Sequence, residues 1–196
     1  RSARIIWAGA VLTNIYSYML YCFAVHFNSL FHLYCLILGL SIYALIYFSI
    51  KHSAIDFRAC FPKEPLKKTT GIFLLVTAGL FYFLWLSQSL PAALSGSVPE
   101  AVAKDALLTN PVHVLDLAFI LPGMIITSVL LWWRNLLGFL MAVPLMVFSV
   151  TMGAGIICMF IISAVSGMPS SLPAGMIICL IMLLSVYFSY LFLREV

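Results

Sequence analysis

Apolar residues fall into six long stretches along the chain, separated by short segments that hold most of the charged residues. Each stretch is about twenty residues or longer, the length that an α-helix needs to cross the hydrocarbon core of a bilayer. The apolar runs are continuous rather than alternating, which excludes a membrane β-barrel. The pattern predicts an all-α bundle of six transmembrane helices in one domain, residues 1–196, with spans at 5–25, 30–50, 71–90, 111–133, 136–165 and 173–193.

Composition strengthens this prediction. Hydrophobic residues make up 64% of the chain and charged residues only 8%, with a mean hydropathy of +1.16. Soluble proteins have about 25% charged residues, and a soluble fold of this size could not hide so many apolar side chains from water. The lipid bilayer is therefore the expected environment.

The net charge of +4 does not indicate a nucleic-acid partner, because the basic residues are divided unequally between the two sides. Nine of the ten precede the first span, follow the sixth, or lie in the second or fourth connection: Arg1, Arg4, Lys51, Arg58, Lys63, Lys67, Lys68, Arg134 and Arg194. Only Lys104 lies on the other side. This positive-inside distribution predicts that both termini are cytoplasmic.

The fourth span begins with the sequence NPVHVLD, which puts two ionisable residues inside the membrane. Asn110 is suited to cap the helix, and Pro111 suits its first turn. His113 and Asp116 are three residues apart and therefore share a face of the helix. Asp116 is the only acidic residue within any predicted span, and such a residue normally faces protein or water at a functional site. Pro122 and Gly123 predict a kink just beyond this pair.

Other polar residues are expected at the same, external level. His26 and His32 flank the first hairpin, while Asn14, Tyr18 and Tyr21 form a polar stripe on the first span. If these faces meet the fourth span, the seven residues line an outward-facing pocket. The alternative is structural: Asp116 locks helices together, and the histidines and tyrosines are interfacial anchors.

Two further features concern the same side of the membrane. The segment SVPEAVAKDALL predicts a short surface helix, capped by Ser97 and Glu100, that covers a cavity or lies on lipid. His26, His32, His113 and Asp116 are also candidate zinc ligands. Their spacing matches no compact zinc motif, so we predict no metal and no other cofactor.

The segments NPVHVLDLAFILPG and IYSYMLYCFAVHFNSLFHLY resemble a pattern of uncharacterised bacterial polytopic inner-membrane proteins. The resemblance covers spans one, two, four and part of five. It implies a bacterial inner-membrane location and no particular activity, so no residue role is carried over from it.

Three functional hypotheses remain. The favoured one is a non-enzymatic membrane protein that binds or transports a small solute or ion, in which Asp116 binds a cation or proton and the histidines tune this binding near neutral pH. The second is a membrane-embedded metalloenzyme that uses the His and Asp candidates. The third is an accessory subunit, in a homo-oligomer or with a membrane partner, in which the buried pair only stabilises the fold.

Overall fold

A computed structural model describes residues 2–53, 64–104, 106–167 and 172–194. In these ranges the chain is all α-helical apart from short connections, and it contains no strand. The elements are α1 (Ser2–Phe23), α2 (Phe31–Ser53), α3 (Glu64–Ser95), α4 (Glu100–Lys104), α5 (Pro111–Leu115), a π-helical turn (Asp116–Ile120), α6 (Leu121–Trp132), α7 (Leu136–Val165) and α8 (Leu172–Arg194). The basic residues Arg1, Arg58 and Lys63 lie outside the described residues.

The prediction of six transmembrane helices is confirmed within the described part of the chain. Six segments are long and apolar enough to cross a membrane, and α5, the π-turn and α6 together form the fourth. The largest difference is in α3, which begins at Glu64 and runs through Pro91 to Ser95 rather than covering only residues 71–90. It is followed by Gly96, whose φ of 66° suits the left-handed residue that closes a helix.

Consecutive membrane helices run in opposite directions, and α7 lies at the centre of their contacts. It packs against α1, α6 and α8, while α3 packs against α6 and, less extensively, against α8. The contact between α3 and α8 includes Phe73 and Phe188, whose ring centroids are 5.1 Å apart. In contrast, α2 packs against α1 at the periphery. We call the two ends of the bundle the Asn110 end, where α5 begins, and the Arg134 end, where α6 ends.

Close helix packing depends on glycines at two crossings. A Cβ atom placed on Gly9 of α1 would lie 2.5 Å from the Cβ of Val147 and 2.9 Å from the Pro144 carbonyl oxygen, both on α7. One turn further along, the hydroxyls of Thr13 and Thr151 are 2.6 Å apart. Gly153 of α7 is buried, and a Cβ atom there would lie 3.2 Å from the Cβ of Met182 of α8.

Candidate functional site

The start of the fourth span has the predicted cap. The Asn110 side chain accepts hydrogen bonds from the backbone amides of Val112 and His113, at 3.0 and 3.2 Å. Pro111 occupies the first turn. The cap fixes where the helix begins, so Asp116 lies roughly 7–9 Å further along the helix axis at 1.5 Å per residue.

The predicted kink at Pro122 corresponds to a π-helical turn immediately before it. The Leu121 amide donates to the Asp116 carbonyl five residues back. In that register the Leu117 carbonyl would need residue 122 as its donor, and proline has no N–H. The Tyr82 hydroxyl of α3 donates to this carbonyl instead, at 3.3 Å. Such π-turns occur frequently at functional sites because they redirect side chains.

The Asp116 side chain joins three parts of the bundle. Its Oδ1 accepts a hydrogen bond from the Tyr16 hydroxyl of α1 at 3.0 Å. Its Oδ2 accepts one from Trp85 Nε1 of α3 at 2.7 Å. The residue is only 9% exposed. Both donors are neutral groups, so neither supplies a counter-charge to the Asp116 carboxyl group.

His113 lies beside this network rather than within it. Its ring centroid is 4.6 Å from that of Trp85, with the two planes inclined by 37°. Like Asp116, it is 9% exposed. Trp85 therefore touches both ionisable residues of the fourth span, donating to one and packing against the other.

A cavity of about 550 Å³, which we call the membrane cavity, reaches Asp116 from within the bundle. Its wall is made by residues of α1, α3, α5, the π-turn, α6, α7 and α8, and most of these are apolar. The wall includes Tyr16, Phe81, Trp85, Asp116, Met124, Phe148, Met152, Ile156, Met159, Ile178 and Ile181. Among the described residues that line it, Asp116 is the only one with a charged side chain.

A second cavity, about 630 Å³, opens on the other side of His113 at the Asn110 end, and we call it the surface cavity. It is lined by Asn110, His113 and Leu117, by Ser89 near the end of α3, and by Val102 of the short helix α4. The predicted surface helix is thus present and covers a cavity. The predicted cap by Ser97 is wrong, because the helix begins only at Glu100 and the Ser97 hydroxyl lies 2.8 Å from that of Ser95.

The other predicted site residues lie elsewhere. Asn14 is exposed, and the rings of Tyr18 and Tyr21 pack against Tyr34 of α2. His26 and His32 are exposed at the α1–α2 hairpin. None of these five lines either cavity. Span one does reach Asp116, but through Tyr16 rather than through the predicted stripe. Span two lines neither cavity, because α2 packs on the face of α1 that carries Tyr18 and Tyr21.

The functional residues that the sequence did not reveal are Tyr16, Tyr82 and Trp85. Each has a hydrogen-bonding group that needs a partner when it is buried. Tyr16 lies two residues from Tyr18, about 200° around the helix at 100° per residue. Thr77, Phe81 and Trp85 are four residues apart and share a face of α3. This spacing indicates which face of α3 packs against protein, but not which helix it packs against.

The donors proposed for a metal site are dispersed. Among the described residues, no three His, Cys, Asp or Glu side chains lie together in an arrangement that could hold a metal ion. Asp116 instead has Tyr16 and Trp85 as neighbours. The metalloenzyme hypothesis therefore gains no support from the arrangement of these residues.

Comparison of the chain with models of protein families, with curated proteins and with solved structures finds no match in any of the three.

Proposed function

We propose that this integral membrane protein binds a small amphipathic molecule in the membrane cavity, with a cationic group of the ligand at Asp116. The observation that carries the proposal is a single carboxyl group, held by two neutral donors, at the wall of a largely apolar cavity. A volume of about 550 Å³ lies within the range of roughly 300–1,000 Å³ that is typical of small-molecule sites.

The charge of Asp116 supports a cationic ligand. Burying an ionised carboxylate without a counter-charge is costly, and no Lys or Arg is among the described residues that line this cavity. A carboxylate has about four lone-pair positions, and Tyr16 and Trp85 each use one. The remaining positions can accept hydrogen bonds from an ammonium group, which would also neutralise the charge.

The apolar wall supports an amphipathic ligand over a simple inorganic cation. A hard metal cation takes six or more oxygen ligands or retains water, whereas this cavity offers mainly Met, Ile and Phe side chains. An alkylammonium places its apolar chain against these side chains and its charge on Asp116. The proposal has two forms: the ligand is only bound, or it is also transported. Both forms require this site.

The test is calorimetric titration of the purified protein in a nonionic detergent with decylammonium, compared with decanol. We expect saturable binding of the amine, and at least tenfold weaker binding in the variant Asp116→Asn, which corresponds to about 1.4 kcal/mol. An Asn side chain can still accept from Trp85 Nε1 and donate to the Tyr16 oxygen, because a tyrosine hydroxyl serves both roles. The variant therefore removes the charge while the network is kept.

His26→Gln provides a matched control, since His26 is exposed and remote from the membrane cavity. It should bind decylammonium as the wild type does. Equal affinity of wild type and Asp116→Asn for the amine, or equal affinity of the wild type for decanol and decylammonium, would contradict the proposal.

A further inference from the structure

Resting on the proposed function, we further propose that the ligand reaches Asp116 from the lipid bilayer, between α3 and α8, and is therefore a membrane-dissolved lipophilic amine. The proposal follows from a comparison of the two sides of the membrane cavity. One side faces the surface cavity and is closed, and the other faces lipid and is open.

The closed side is formed by Trp85 and His113. Trp85 lines the membrane cavity and His113 lines the surface cavity, and their rings are in contact at a centroid distance of 4.6 Å. The hydrogen bond from Trp85 Nε1 to Asp116 fixes the indole in this position. A water-soluble ligand in the surface cavity would have to displace this pair of rings before it could reach the carboxylate.

We place the open side between α3 and α8, beyond the point at which their aromatic rings are in contact. The aromatic rings of Phe73 on α3 and Phe188 on α8 are in contact towards the Arg134 end. Two to three turns nearer to the Asn110 end, Phe81 and Trp85 of α3 and Ile178 and Ile181 of α8 line the cavity instead.

Exposed side chains mark the opening. Leu84 of α3 and Met159 of α7 line the same cavity, yet they are 42% and 57% exposed. Both belong to segments that are able to span the membrane. At this depth the exposed surface of a membrane helix faces lipid chains, so the membrane cavity is continuous with the bilayer.

The positions of the polar and apolar residues also fix the orientation of the ligand in the membrane cavity. The hydrogen bonds of Asp116 to Tyr16 and Trp85 lie on the wall made by α1, the π-turn and α3, and the α8 residues that line the cavity are apolar apart from the backbone. An amine that enters between α3 and α8 therefore brings its charged group to the inner wall. Its hydrocarbon chain remains towards the bilayer, where burial of apolar surface is favourable.

The experiment uses Trp85 as a fluorescent reporter, in a variant in which Trp7, Trp132 and Trp133 are replaced by Phe. The protein is reconstituted in phosphatidylcholine vesicles whose acyl chains carry bromine, which quenches tryptophan on contact. We expect bromolipid to quench Trp85 at least twofold and acrylamide, a water-soluble quencher, to quench it by less than a quarter. Hexadecylammonium should displace the brominated chain and restore at least half of the lost fluorescence.

Two variants of the protein whose only tryptophan is Trp85 separate binding of the amine from closure of the route from water. Asp116→Asn should keep the bromolipid quenching but lose the recovery with hexadecylammonium, because the charge is gone while the opening remains. His113→Ala should at least double the acrylamide quenching, because it removes half of the ring pair that closes the surface cavity.

The inference would be overturned if acrylamide quenched Trp85 and bromolipid did not, or if His113→Ala left acrylamide quenching unchanged. Those outcomes test only the route by which the ligand reaches Asp116, not whether it binds there. The detergent titration with decylammonium contains no bilayer and tests the binding site itself, so a site that binds the amine but is reached from water would be recognised as such.

Discussion

Trp85 is the residue on which the geometry of Asp116 most depends, since one indole both donates to the carboxylate and packs against His113. Interhelical hydrogen bonds in membrane proteins contribute about 0.6 kcal/mol on average. Hydrogen bonds to charged groups contribute about 1.5–3 kcal/mol. If Asp116 is ionised, as the proposed cationic ligand requires, its hydrogen bond to Trp85 belongs to the second class.

We predict that Trp85→Phe lowers the free energy of unfolding by about 1–3 kcal/mol, because Oδ2 of Asp116 loses its donor while an aromatic ring remains beside His113. The measurement is denaturation in mixed micelles of nonionic detergent and sodium dodecyl sulfate. Trp133→Phe is the control: Trp133 is 76% exposed, and we expect a change within about 0.5 kcal/mol. A Trp85→Phe protein as stable as this control would show that the hydrogen bond contributes nothing measurable.

At the residue scale, the sequence revealed what was chemically unusual but not what surrounds it. Asp116 and the Asn110 cap could be predicted because a carboxylate inside an apolar span is costly and because Asn-Pro is a helix start. Tyr16 and Trp85 could not, since lipid-facing and protein-facing sides of a membrane helix are both apolar. The rotation of α1 was therefore undetermined, and the polar stripe of Asn14, Tyr18 and Tyr21 indicated the wrong face.

At the scale of single elements, the π-turn explains how one helix supports the site. Because Pro122 cannot donate, the Leu117 carbonyl depends on Tyr82 of α3, and the same helix supplies Trp85 to Asp116. Two hydrogen bonds from α3, one turn apart, thus fix the rotation of the π-turn. The sequence indicated an irregularity near Pro122, but its type depends on Tyr82, which is distant in the chain.

The crossing of α1 and α7 sets the position of Tyr16, and Gly9 is its closest point. We predict that Gly9→Ala destabilises the protein by about 1–3 kcal/mol, as expected when a methyl group is forced into a packed contact. Its Cβ would meet Val147 and the Pro144 carbonyl, so α1 must move away from α7. The measurement is the same denaturation in mixed micelles.

Gly39→Ala is the matched control for this prediction. Gly39 lies on α2, and a Cβ atom there would meet nothing within 4 Å. The substitution should be neutral or stabilising by up to about 1 kcal/mol, because alanine has the higher helix propensity. If both alanine variants had the same stability, close approach at Gly9 would not be what holds α1 against α7.

At the scale of the whole molecule, six apolar helices in alternating directions leave large apolar surfaces on the outside, particularly on α2 and α8. The number of membrane helices and most of their ends follow from hydropathy and caps, because the bilayer imposes helix length. Which helices are neighbours does not follow. The contact of α1 with α7 involves Gly9, Thr13 and Thr151, and small residues of this kind are common in every span.

The orientation of the bundle in the membrane is the remaining whole-molecule property, and the basic residues predict it. Arg4, Lys51, Arg134 and Arg194 lie at the Arg134 end, and Lys104 at the Asn110 end. Basic residues near an anionic cytoplasmic leaflet contribute about 1 kcal/mol each, and they also set the direction of insertion. We therefore predict that the Asn110 end, with the surface cavity, faces away from the cytoplasm.

Two cysteine variants test this orientation while all ten basic residues are kept, in a background in which the five native cysteines are replaced by serine. Leu108 is fully exposed at the Asn110 end, and Trp133 is 76% exposed at the Arg134 end. In intact bacterial spheroplasts, a membrane-impermeant maleimide should label Leu108→Cys, and it should label Trp133→Cys only after lysis. The reverse pattern would show that the surface cavity faces the cytoplasm. Both variants keep the charges that determine insertion, and they differ only in the end of the bundle at which the cysteine lies.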